Sequence, residues 1–191
     1  MLIDGASSKT VEAGTTTTGA VLSWTLSGNT PQSQSISNGV GVVPVGTLTK
    51  TVIGTFTTTQ TWTLTVSATG PTGTVVTASS SVSLNVRQKR YWGVSTLTSL
   101  NSAGILGLGG SEFATNRSKS VTYNATGGRY VYYAYPTSFG VIAGVTVNGL
   151  AFSDYTTSTV SFTNASGHVE NYYVVRFNSL QNGSSIPVVW S

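Results

Sequence analysis

The chain has 191 residues, of which only 7% are charged; it contains 22 Gly and no Cys, while 32 Thr and 27 Ser make it rich in hydroxyls. Ordinary soluble domains carry about 25% charged residues, and long solvent-facing helices draw on Glu, Lys and Arg, so a helical bundle or coiled coil is excluded. With 39% hydrophobic and 10% aromatic residues the chain has the material for a core, unlike a disordered segment. The composition predicts an all-β protein made soluble by hydroxyls.

The same scarcity argues against an enzyme. One His, two Asp, three Glu and no Cys leave few groups for acid–base or nucleophilic chemistry. Without Cys there is no disulfide framework and no thiolate metal site, and neither a cofactor nor a metal is expected. The net charge is +4, but the cations are spread out. Their one local cluster, Arg87, Lys89 and Arg90, reads as a domain junction, and nucleic acid is not an expected partner. No apolar run reaches the ~18 residues of a membrane span. Met1, Leu2, Ile3 and Asp4 lack the basic start and apolar run of a signal peptide, so the expectation is a protein made in the cytoplasm, without membrane insertion.

In chain order, strands are predicted first at Thr10 to Ala13 and Val21 to Ser27, the latter alternating Leu22, Trp24 and Leu26 with hydroxyl residues at the period of a half-buried strand. Further strands follow at Ser33 to Ile36, Gly41 to Val45 and Leu48 to Ile53. Thr61 to Ala68 alternates Trp62, Leu64, Val66 and Ala68 with Thr and Ser, and Ser81 to Val86 points Val82, Leu84 and Val86 one way. Between the last two, Thr69 to Gly73 (TGPTG) is a hairpin turn. About seven short strands with frequent turn signals describe a two-sheet sandwich.

Composition changes near residue 88. All nine Tyr lie at or beyond Tyr91, and Lys50 is the only charge between Glu12 and Arg87. Two domains are therefore expected, 1–88 and 89–191. In the second, a short helix is predicted near 98–108, capped by Thr98 or Ser99 and ended by glycines. Strands are predicted at Lys119 to Tyr123, Arg129 to Tyr135, Gly144 to Val147, Thr159 to Thr163, Asn171 to Phe177 and Ile186 to Trp190. The fold class is thus all-β, two antiparallel β-sandwich domains with at most that one helix.

Trp24, the run Gln60 to Ser67 (QTWTLTVS), the Gly-Pro hairpin and SVSLNV resemble the immunoglobulin-like and fibronectin-III-like modules of bacterial surface and phage virion proteins, over residues 8 to 87. Trp62 stands where many such modules place a hydrogen-bonding Tyr. If the resemblance holds, that corner is fixed by packing or by the indole N–H. Lys119 to Gly140 (KSVTYNATGGRYVYYAYPTSFG), with ILGLGGSEFATNRS and VTVNGLAFSDYT, resembles a C-terminal module of phage tail-fibre and baseplate proteins. This implies a tailed-phage virion protein contributing to tail, baseplate, fibre or capsid-surface assembly. Its expected partners are other virion proteins and further copies of itself, and its expected location is the virion.

The candidate contact residues are aromatic: Tyr130, Tyr132, Tyr133 and Tyr135, with Tyr91, Trp92 and Trp190. Alternation sets Tyr130 and Tyr132 on one face and Val131, Tyr133 and Tyr135 on the other. One face is expected in the core and the other against a neighbouring subunit. The alternative is a carbohydrate- or receptor-binding module for a host-surface glycan, with Tyr132, Tyr133, Tyr135 and Trp190 as a stacking platform. The threonine-rich faces read as neutral solvent faces, rather than a surface matched to ice or another sheet. His168 reads as a loop residue. Asp154 and Glu170 would make a glycosidase pair only if folding brought them within about 5 to 9.5 Å. Four Asn-x-Ser/Thr sequons, at Asn116, Asn124, Asn164 and Asn182, are attributed to chance.

Overall fold

The computed structural model describes residues 1–191. It is all-β apart from one short α-helix and one 3-10 turn, and it divides into two compact units, Met1–Arg87 and Gln88–Ser191.

The first unit contains β1 (Leu2–Ile3), β2 (Ser8–Glu12), β3 (Thr16–Ser23), β4 (Pro31–Ile36), β5 (Gly41–Val42), β6 (Thr49–Thr55), β7 (Gln60–Thr69) and the opening stretch of β8 (Val75–Ser95). One sheet runs β1-β3-β6 and the other β2-β8-β7-β4-β5. That division of strands between two sheets is a β-sandwich. All pairs are antiparallel except β2 with β8, which is parallel. The inward residues of the alternating strands, among them Leu22, Ile36, Trp62, Leu64, Val82 and Leu84, form one buried cluster with Trp24. Trp24 lies just past the end of β3 and donates its backbone N–H to Leu48 O at 3.0 Å. Trp62 is fixed by packing, edge-on to Phe56 at 5.9 Å. The β7–β8 turn closes through Gly70 N–H to Thr74 O at 2.7 Å.

The outward hydroxyls of this unit are organised. Thr61 pairs with Ser83 at 3.0 Å, Thr63 with Ser81 at 2.8 Å, Ser33 with Ser67 at 2.6 Å and Thr16 with Thr55 at 2.7 Å, each across two neighbouring strands. Cross-strand hydroxyl pairs of this kind stabilise a sheet by a few tenths of a kcal/mol to about 1 each.

The second unit contains the last stretch of β8, then α1 (Ser102–Leu106), β9 (Gly110–Ala114), β10 (Lys119–Tyr123), β11 (Tyr130–Pro136), a 3-10 turn (Thr137–Phe139), β12 (Val145–Val147), β13 (Leu150–Ala151), β14 (Tyr155–Thr163), β15 (Val169–Phe177) and β16 (Ile186–Trp190). One sheet runs β9-β8-β11-β15-β14, the other β10-β16-β12-β13. Two clusters flank the first of these sheets. Between the sheets lie Val131, Tyr133, Tyr135, Val175, Phe177 and Trp190. On the opposite face, Tyr132, Ala134, Tyr172 and Val174 pack under Leu100, Ile105 and Leu108. The unit is therefore three layers deep, sheet on sheet with the α1 segment as a lid.

Helix α1 starts two or three residues later than its expected caps. Asn101, rather than Thr98 or Ser99, is the N-cap and accepts the Gly104 N–H at 3.0 Å. The helix ends at Gly107, whose N–H bonds Ala103 O.

Candidate functional site

The aromatic run folds with the expected alternation, but both of its faces are internal. Tyr133, Tyr135 and Trp190 have no exposed surface, Tyr132 retains 1% and Tyr91 3%. Tyr133 stacks on Trp190 at 5.0 Å and an interplanar angle of 14°, and Tyr135 lies 5.2 Å from Tyr133. Tyr91 meets Phe162 edge-on at 5.3 Å. These five side chains are core: alongside the face expected there, the face expected against a neighbouring subunit is also covered, and Tyr132, Tyr133, Tyr135 and Trp190 form no open stacking platform, which corrects those two expectations. The physical reason is that residues 97–108 fold over the face that alternation alone leaves open.

Burying phenols requires partners for their hydroxyls, and backbone carbonyls supply them to Tyr123, Tyr132, Tyr133 and Tyr172. Tyr132 Oη donates to Leu97 O at 2.7 Å, Tyr133 Oη to Arg117 O at 2.5 Å and Tyr172 Oη to Lys89 O at 2.7 Å. Trp190 Nε1 donates to Tyr123 Oη at 3.0 Å, which itself donates to Tyr132 O at 3.2 Å. Burial pushes Tyr133 and Tyr135 up to about 12 and raises Tyr123 well above the ordinary phenol value. The polar tips thus pin the loops at residues 97 and 117 onto the sheet.

Trp92 and Tyr130 are only half-buried and are the two candidates that keep accessible ring surface. Each carries a cation: Lys119 Nζ lies 4.4 Å from the Trp92 ring and the Arg176 guanidinium 5.1 Å from that of Tyr130. Beside Trp92, Glu112 binds both Arg90 and Lys119. Arg90 Nε donates to Oε1 at 2.7 Å and Lys119 Nζ to Oε2 at 2.8 Å. These contacts, Lys119 foremost, hold the Glu112 carboxyl below its ordinary range. Arg90 also donates to Ser118 O. In the basic cluster, Arg90 is thus committed to an internal network and Lys89 lies 5.4 Å over the Phe113 ring.

The titratable groups do not converge. Asp154 precedes β14 and accepts from Asn178 Nδ2 at 3.0 Å and Ser179 Oγ at 2.9 Å. Glu170 stands opposite Phe162 near the other end of the β14–β15 ladder. Eight residues of extended strand separate these levels by roughly 26 Å, too far for a glycosidase pair. His168 Nε2 lies 3.9 Å from Glu170 Oε2. No group of three or more His, Cys, Asp or Glu side chains is placed to hold a metal, and no helix is long and apolar enough to cross a membrane. A groove of about 290 Å³ on the first unit is lined by neutral groups, including Leu26, Asn29, Pro31, Val66 and Ser79.

The four sequon asparagines have a structural use. Asn116, Asn124 and Asn164 accept from backbone N–H groups two residues on, at 3.0, 3.1 and 2.9 Å, and Asn182 accepts from Gly127 N–H at 2.7 Å. For Asn116, Asn124 and Asn164 this is the Asx-turn, in which an Asn side chain stands in for a backbone turn partner.

Fold and site together define an all-β protein of two sandwich units whose aromatic residues are mostly structural. Compared with family models, curated proteins and solved structures, the chain matches none.

Proposed function

We propose that the chain is a structural protein of a tailed-phage virion, contributing to tail, baseplate, fibre or capsid-surface assembly through protein–protein contacts. The observation that carries this reading is the chemistry of the surface. Apolar side chains stand out from strands and turns, with Val42 85%, Leu150 74% and Ile53 72% exposed, on a chain with few charges. Depletion of charge with retained apolar area is the composition of protein–protein interface cores. The resemblance of Lys119 to Gly140 to phage tail modules points the same way.

The glycan-binding alternative loses its platform, because Tyr132, Tyr133, Tyr135 and Trp190 present no open ring face. Trp92 and Tyr130 are the rings left to it. A glycan array with Tyr130→Ala as the control decides whether either is used.

The assembly reading is tested on purified particles from cells carrying the gene, by mass spectrometry and gold-labelled antibody. The expected result is the chain at one repeated position on the particle. Particles complete without it, with the chain left in the soluble fraction, would overturn the proposal.

A further inference from the structure

Each sheet ends in edge strands, whose unpaired backbone groups invite another strand. The eight edges of the four sheets are β1 and β6, β2 and β5, β9 and β14, and β10 and β13. Three of them, β1, β5 and β13, are two residues long. Four carry charge: Lys9 and Glu12 on β2, Lys50 on β6, Glu112 on β9 and Lys119 on β10. Shortness and charge are the usual protections of an edge. The remaining edge, β14, has nine residues, YTTSTVSFT, with neither charge nor proline, and pairs β15 without a register shift.

The ladder fixes which of its backbone groups point outward. Asn164 N–H donates to His168 O at 2.9 Å, and the register continues as Phe162 with Glu170, Val160 with Tyr172 and Ser158 with Val174. Alternation along an antiparallel ladder then directs the even-numbered residues of β14 to β15 and the odd-numbered ones outward. Contacts of helix α1 agree: Ser102 Oγ accepts from Thr163 N–H at 3.0 Å and donates to Ser161 O at 3.4 Å. At the other end Tyr155 N–H bonds Ser153 O at 2.9 Å. What stays open is a matched set: the N–H groups of Thr157, Thr159 and Ser161, and the carbonyls of Tyr155, Thr157 and Thr159.

We propose that β14 receives the β14 strand of a second copy of this chain, antiparallel about a two-fold axis. With Thr157 opposite the partner's Thr159, every open N–H meets an open carbonyl: Thr157 and Thr159 exchange bonds with each other's counterparts, and Ser161 N–H reaches the carbonyl of Tyr155 across the axis. The set is self-complementary, as an isologous interface requires. The cross-strand neighbours are Thr157 with Thr159, Thr156 with Val160, Tyr155 with Ser161 and Ser158 with its own copy, neutral pairs that bring no like charges together. A strand of different sequence would satisfy the backbone but gains no charge recognition from this edge, which is why a second copy is the occupant.

The test is mass by light scattering and sedimentation of the full chain over rising concentration. The wild type is expected to reach twice the 19.8 kDa chain mass, with slowed amide exchange at Thr157, Thr159 and Ser161. Thr159→Pro removes an outward N–H and leaves the β15 ladder intact, and Thr157→Lys adds the missing edge charge. Both are expected to be monomeric with wild-type melting, while Thr159→Val still dimerises. A wild type that stays monomeric overturns the inference, as does an oligomer whose mass neither variant changes. Should Thr159→Pro fail to fold, Thr157→Lys decides. A dimer through this edge in a chain that never joins a particle would leave the inference standing and the virion proposal overturned.

Discussion

Gly110 shows how one residue determines the placement of an aromatic. A Cβ built there would lie 2.2 Å from the Trp92 indole, so Trp92 lies over β9 only because that position has no side chain. Gly110→Ala is expected to force the indole outward and cost about 1–3 kcal/mol, read as a lowered melting temperature with an altered near-ultraviolet dichroism band. The buried phenols give a second residue-scale prediction. Tyr133 and Tyr135 titrate at about 12 when folded, against an ordinary value of 10.0. A raised folded value means the native state retains protons that the unfolded chain has already released. The stabilisation is complete below pH 10 and is lost as pH rises towards 12. Thermal melts across that window, followed with phenolate absorbance, should show stability falling together with ionisation, and Tyr133→Phe should flatten the fall.

Among the elements, helix α1 has the largest effect for its length, since it covers the face bearing Tyr132 and Tyr172. Ile105→Ala removes a fully buried side chain of that cover and is expected to cost about 2–5 kcal/mol. Asn101→Ala removes the cap and costs about 1 kcal/mol. Denaturant unfolding of the two variants measures both. Elements with a strong period were legible in the sequence: alternation of Trp62, Leu64 and Val66 located β7, and β10 and β16 fall on their expected residues. β9 was missed because GSEFA has a Gly and a Glu where a strand signal needs β-branched residues. The apolar period marks β14 only from Thr159 onward because Thr156 to Ser158 are all small and polar. The helix near 98–108 was legible, yet its cap was not, since Thr98, Ser99 and Asn101 are all good N-caps and tertiary packing chose among them. For the candidate site, the two faces of Tyr130 to Tyr135 could be read from parity. That both would be covered could not, because the cover over Tyr132 is made by a distant segment of chain.

At the scale of the whole molecule, few charges remain for long-range electrostatics, and several of them are spent internally: Lys9 on Asp4 at 2.6 Å, and Arg90 and Lys119 on Glu112. Surface attraction between charges fades beyond about 8 Å at physiological salt, so contacts made by such a surface owe little to ionic strength. If the chain sits on a particle as proposed, it should remain attached through washes in molar salt and be released by denaturant. Release by salt alone would show that its few charges carry the attachment.

The cross-strand hydroxyl pairs of the first unit bear on what surroundings that unit withstands. In a pair such as Thr63 with Ser81 either oxygen can be the donor, and neither gains or loses a proton at any pH a protein meets. Acid breaks sheets that are laced with carboxylates by neutralising one partner of each bridge; a hydroxyl lacing has no such partner to neutralise. With Asp4, paired to Lys9, and Glu12 its only side-chain carboxylates, the first unit offers acid little to neutralise, and the hydroxyl pairs themselves stay chemically unchanged.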